Sequence, residues 1–308
     1  MAAVERRARG RRERAPERGD LACAAIDTFT FTSHRIGEPF RIAAEVPPGK
    51  GPFRAVYVLD PVLNLAPTIA SIRYLATGAM IAGAELPELA VIGIEHAVDI
   101  HDLMGRRGRD FTPTPGARSF VHFPGAGAAP RFLEALEHEL IPAAERRLRL
   151  STRRRILVGH SLGGLFGLHV LFNRPSLFDG YILVGPSIWW DDRSVLAEEE
   201  RWSHEHDDLD AHVFLAAGAN EERVGDTWKN EGFPLEMLRI ARQAENVREL
   251  AARLRARRYP RLTVDDVIFD GEYHFTVMPS AITRGLLTLL ETPDRTPLGS
   301  PLHEPATD

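Results

Sequence analysis

The sequence predicts an α/β fold, with a mostly parallel central sheet, leading antiparallel strands and helices on both faces. Two observations carry this. Short apolar runs recur along the chain and are separated by stretches of helical periodicity, the alternation that builds parallel sheets. The first two strand-like segments instead alternate apolar with polar residues, as half-buried antiparallel strands do.

In chain order, Phe29-Thr30-Phe31-Thr32 and residues 40–46 are the alternating pair. The apolar runs at 55–59, 89–94, 155–158, 181–184, 213–217 and 264–269 suit strands covered on both faces. Between them, residues 131–148 place Phe132, Leu136, Leu140 and Ala144 on one helical stripe. Pro142 should kink or divide that helix, because it lacks the N–H the helix needs there. Residues 162–173 are apolar nearly all round, so this helix should pack against the middle of the sheet. A longer arginine-rich helix is expected over 233–258, and 279–290 closes the domain. One domain over 21–290 accounts for the chain. The arginine-rich residues 1–20 lack apolar anchors, residues 291–308 repeat proline, and both read as disordered tails.

Composition excludes several functions. The formal charge of −5 is no nucleic-acid footprint. No apolar run reaches the length of a membrane span, and the first residues have no signal-like apolar core. Cys23 is the only cysteine, so neither a disulfide framework nor a thiolate cage is available. Glu95, His96, Asp99, His101 and Asp102 crowd together without metal-ligand spacing. The expectation is a cytoplasmic protein with no metal, cofactor, nucleic-acid or membrane partner.

Chemistry enters at Gly159-His160-Ser161-Leu162-Gly163, which runs from a strand straight into a helix. A serine in such a turn adopts strained backbone angles that lift its Oγ clear of the sheet. The flanking glycines let strand and helix pass closely. The N–H of Leu162, at the positive end of the helix, then faces the place where an oxyanion forms. The nucleophile needs a base, and the base needs a carboxylate; in α/β-hydrolases the order is serine, acid, histidine. Among the later histidines, His274 alone follows the last predicted strand and precedes the terminal helix. The acid should follow the 213–217 strand, where Glu221 is preferred over its neighbour Glu222, with Asp226 and Glu272 as weaker alternatives. The second oxyanion donor should come from the loop over 59–64; Pro61 has no N–H, which leaves Val62. His160 is expected to pack or bond locally.

These residues resemble the putative-esterase family of α/β-hydrolases, which includes siderophore trilactone esterases, S-formylglutathione hydrolases and mycolyltransferases. The resemblance spans roughly residues 29–290 and is strongest to the enterobactin- and bacillibactin-type siderophore esterases. It rests on Val56-Tyr57-Val58-Leu59-Asp60, residues 107–114, residues 132–142, residues 159–164, Pro186-Ser187-Ile188-Trp189-Trp190 and Gly271-Glu272-Tyr273-His274-Phe275. It implies a serine carboxylic-ester hydrolase that forms an acyl-enzyme on a small-molecule ester such as a siderophore lactone. Ser161 would be nucleophile and His274 base, with the acid in the 218–222 loop. Acyl transfer on the same acyl-enzyme, or an inactive binding protein of the same fold, are the alternatives. The chain departs from the family in Asp60-Pro61, where Asp-Gly is common, and in Gly185-Pro186-Ser187, where Ser-Pro-Ser is usual. For the substrate, Arg107 and Arg109 are candidate anion-binding groups, or partners of Asp110. Trp189 and Trp190 are a candidate aromatic wall or a packed loop anchor.

Overall fold

The computed structural model describes residues 26–222 and 235–291. The sequence-predicted tails lie outside the described residues except for Glu291, which is helical rather than disordered, and so does the alternative acid Asp226. Eight strands form one sheet: β1 (Asp27–Thr32), β2 (Pro39–Glu45), β3 (Arg54–Leu59), β4 (Leu89–His96), β5 (Ile156–His160), β6 (Gly180–Val184), β7 (Ala211–Gly218) and β8 (Leu262–Phe269). Their order is β1-β2-β4-β3-β5-β6-β7-β8. β1 pairs antiparallel with β2 and β2 with β4, while every later pair is parallel. All eight strands fall where the apolar patterning places them.

Burial explains the two kinds of pattern. In β2 exposed and buried residues alternate, whereas β5, β6 and β7 are buried throughout. A strand with helices on both faces has no solvent side on which to place a polar residue. The helices are α1 (Pro61–Ile81), α2 (Ile100–Asp110), α3 (Ala129–Ala135), α4 (Ile141–Leu148), α5 (Leu162–Asn173), the short α6 (Trp190–Arg193), α7 (Val195–Glu205), α8 (Leu235–Ala241), α9 (Gln243–Arg257) and α10 (Met278–Glu291). Along β3, Val56 and Val58 join a core shared with Leu65 and Ile69 of α1 and Ile282 and Leu286 of α10. The intervening Tyr57 and Leu59 face the opposite core, with Phe132, Phe166 and Val247. Side chains two residues apart share a face, so one strand supplies both cores.

Two expected helices are divided. Between α3 and α4 the chain passes through a π-helical turn, Leu136–Leu140, and Pro142 then sits in the first turn of α4. The backbone stays in the helical region on both sides of this turn, and the wider π-helical turn is where the ladder accommodates the N–H that Pro142 lacks. The long helix expected over 233–258 is broken at Arg242, which adopts φ 43° and separates α8 from α9. Helix α1 is a correction to the loop expected over 59–64. Asp60 turns left-handed at φ 54° and Pro61 opens the helix, its fixed φ being suited to a first helical position.

Candidate active site

The chemistry-bearing residues collect at the carboxyl ends of the parallel strands. β5 ends at His160, and Ser161 turns the chain into α5 with φ 58° and ψ −118°. That is a strained conformation for a residue with a side chain, held by its neighbours. The Ser161 N–H donates to the Val184 carbonyl at 3.0 Å, and the Ser161 carbonyl accepts from the N–H of Leu165 at 2.9 Å and of Ser187 at 3.0 Å. Strand and helix cross tightly: a Cβ on Gly159 would lie 2.4 Å from the Gly163 carbonyl oxygen.

Glu221 lies in a single turn of 3-10 helix, Ala219–Glu222, directly after β7. Its Oε1 accepts from the Gly218 N–H and its Oε2 meets His274 Nδ1, both at 2.7 Å. A carboxylate only accepts, so Nδ1 carries the proton and Nε2 is the ring's acceptor nitrogen. The two loops are tied together by the Asn220 N–H, which donates to the Glu272 carbonyl at 2.9 Å. Glu222 faces elsewhere and caps α9 by accepting the Glu245 N–H at 2.7 Å. Of the two neighbouring glutamates, Glu221 is therefore the one that meets the histidine.

His160 fastens this histidine to the Ser161 turn. Its Nε2 donates to the His274 backbone carbonyl at 2.9 Å, and the two rings lie 4.4 Å apart. Burial, the adjacent His274 and the charge of Arg107 push its pKa well below the usual histidine value, against the pull of that hydrogen bond. His160 is thus held neutral and adds no charge beside its neighbour.

Leu162 and Val62 occupy the first turns of α5 and α1, where backbone N–H groups lack intrahelical acceptors. The two helix starts are neighbours: a Cβ on Gly163 would sit 3.3 Å from Asp60 Oδ2. Asp60 is itself buried and held by a two-pronged pair with Arg107, at 2.5 and 2.8 Å. Arg109 is held by Glu38 and Asp110, and Asp110 is also bound to His96 at 2.7 Å. Burial alone would raise the Asp110 pKa, but hydrogen bonds from His96 and Arg109 outweigh it and lower it. Glu95 pairs with Arg41, so the crowded 95–102 segment spends its first two candidate ligands on protein partners.

Beside Ser161 is a small pocket of about 60 Å³, lined by Ser161, Ser187, Trp189, Glu221, Met237, Ala241, Gln243 and His274. Trp189 belongs to it. Trp190 is fully buried, stacked near Phe123, with its indole N–H donated to Thr114. The two arginines are not in the lining. Met237, Ala241 and Gln243 were not singled out from sequence, and Ser187 entered only as part of a family motif. Ser187 Oγ lies 3.4 Å from Ser161 Oγ, and its sequence signal is the Pro186-Ser187-Ile188-Trp189-Trp190 motif. Met237 and Gln243 come from either side of the break at Arg242, which no glycine or proline announces. Among the described residues, the one group with metal-like crowding is Glu134, Glu137 and His138, where Arg174 pairs with both glutamates.

Residues 33–270 match the family described as "Putative esterase". The chain is 31% identical over 277 residues to the siderophore triacetylfusarinine C esterase of Aspergillus fumigatus, covering 83% of this chain and 90% of that protein. It is 28% identical over 249 residues to the ferri-bacillibactin esterase BesA of Bacillus subtilis, covering 78% and 80%. Among solved structures it superposes on the siderophore hydrolase EstA of Aspergillus nidulans with a TM-score of 0.72 at 25% identity, covering 90% and 97%. No helix of the described residues is long and apolar enough to cross a membrane.

Proposed function

The chain belongs to the putative-esterase family, and from that premise we propose that it is a serine carboxylic-ester hydrolase of siderophore lactones or related small esters. The carrying observation is the Glu221–His274 contact at 2.7 Å beside a strained serine turn. Held with its proton on Nδ1, His274 offers Nε2 to take the Ser161 proton as Oγ attacks the ester carbonyl. The tetrahedral oxyanion is received by the N–H groups of Leu162 and Val62, where the aligned peptide dipoles of α5 and α1 add positive potential. The protonated His274 then donates to the leaving alcohol. Water repeats the sequence on the acyl-enzyme and frees the acid.

The substrate class is supported by the relatives, whose names specify siderophore esters. Trp189 supplies an apolar wall for the bound group. Arg107, engaged with Asp60, serves to hold the turn that presents Val62.

The test combines a burst assay on short-chain p-nitrophenyl esters with a panel of iron-loaded siderophore lactones read by mass spectrometry. Ser161→Ala should lose several orders of magnitude in kcat and all fluorophosphonate labelling. Wild-type turnover in that variant would end the assignment.

A further inference from the structure

We infer that Gln243 recognises the substrate, its side-chain carbonyl accepting a hydrogen bond from an N–H or O–H that the ester carries close to its scissile carbonyl. The inference rests on the esterase reading above. Gln243 is the first residue of α9, is only 4% exposed, and lines the pocket beside Ser161 and His274. Its Nε2 donates to the Gly185 carbonyl at 2.8 Å. A carbonyl can only accept, so this bond settles which end of the amide is nitrogen. The other end, Oε1, is buried with no hydrogen-bond partner among the described residues.

The anchor adjoins the Glu221–His274 pair. A Cβ on Gly185 would lie 3.0 Å from His274 Nδ1 and 3.3 Å from Glu221 Oε2. The amide that grips Gly185 is thus one residue from the acid–base pair. The oxygens of the other two polar side chains nearest Ser161 are already engaged. Both Glu221 oxygens are taken, by Gly218 and His274, and Ser187 Oγ faces Ser161 Oγ. Asn246 Oδ1, one turn along α9, is also unpartnered, but Asn246 is not in the pocket lining.

Leaving an amide oxygen buried and unpaired is unfavourable, and a ligand that brings a donor removes that penalty. An ester presenting a carbonyl, ether or methylene there leaves the penalty in place. Sites that hydrogen-bond a substrate N–H or O–H therefore discriminate strongly against the analogue lacking it. The pocket is small, so the donor must sit within a few bonds of the group that Ser161 attacks.

The donor belongs either to the acyl side or to the alcohol side, and two substrate pairs separate these. On the acyl side, the p-nitrophenyl ester of N-acetylglycine is compared with that of 4-oxopentanoate, which replaces N–H by CH2. On the alcohol side, 2-acetamidoethyl acetate is compared with 4-oxopentyl acetate. In one pair the wild-type protein should prefer the N–H ester by about tenfold or more in kcat/KM. Gln243→Met should bring that ratio to within about twofold of one, whatever it does to the two rates separately, because the lost acceptor matters to one substrate only. Gln243→Asn, with its carbonyl withdrawn by a methylene, provides the same comparison should the methionine variant fail to fold. No preference in either pair, or a preference that survives both variants, overturns the inference while leaving the esterase reading intact. Failure to hydrolyse any of the four esters removes that reading and this one with it.

Discussion

Replacing Glu221 by glutamine tests the acid–base arrangement with little steric change. In the wild-type protein Oε1 accepts from Gly218 and Oε2 from His274 Nδ1, and the residue is 2% exposed. In Glu221→Gln the amide oxygen keeps the Gly218 bond, and the NH2 group then faces the Nδ1 proton. Two donors cannot share that 2.7 Å separation. His274 relieves the clash by moving its proton to Nε2, the atom that must be free to accept from Ser161. Comparable acid-to-amide changes cost roughly 10⁴ in kcat, about 5.4 kcal/mol at 1.36 kcal/mol per decade. Stability should change by only about 1 kcal/mol, since the Gly218 bond survives and the tautomer shift replaces the charged bond to His274 by a neutral one. Glu221→Ala removes both and should destabilise by about 2–4 kcal/mol in urea denaturation while losing a similar amount of activity. The assay is pre-steady-state p-nitrophenol release, where the burst phase should slow by the full factor. A Glu221→Gln variant within tenfold of wild type, alongside a Glu222→Gln variant that collapses, would show that the acid had been misassigned.

Further outcomes follow from the same geometry. His160 titrates below its unfolded value of about 6.5 because burial and His274 disfavour its charge. The unfolded chain therefore takes up this proton first, and stability should fall on acidification below about pH 6.5, by up to about 1.4 kcal/mol per pH unit from this group. Urea midpoints between pH 7.5 and 5.5 should show that slope, and His160→Gln should flatten it. Arg107→Met strands the buried Asp60 carboxylate and should cost about 3–5 kcal/mol; adding Asp60→Asn should recover part of it in a double-mutant cycle. Gly159→Ala drives a methyl into the Gly163 carbonyl, so thermal melts should show severe destabilisation and the purified protein should not hydrolyse esters.

The parts of the fold legible in the sequence were those specified by local periodicity. Eight strands and the antiparallel start follow from runs and alternation of apolar residues, because a strand's burial is written two residues at a time. Helix ends followed less well. Arg242 breaks the long helix with a left-handed residue of a type that rarely adopts it, and Asp60-Pro61 reads equally as loop or helix start.

What the sequence by itself determined is the tight turn at Ser161, the family pattern and a short list of candidates for base and acid. Glycine spacing around Ser161 and the position of His274 after the last strand are one-dimensional facts with direct steric meaning. Tertiary structure alone decided which glutamate meets His274, that Arg107 is paired with Asp60, and that Gln243 reaches the pocket from a helix of otherwise ordinary surface composition. Such assignments depend on where side chains tens of residues apart converge. Two adjacent glutamates are chemically identical until the fold gives one a histidine and the other a helix to cap.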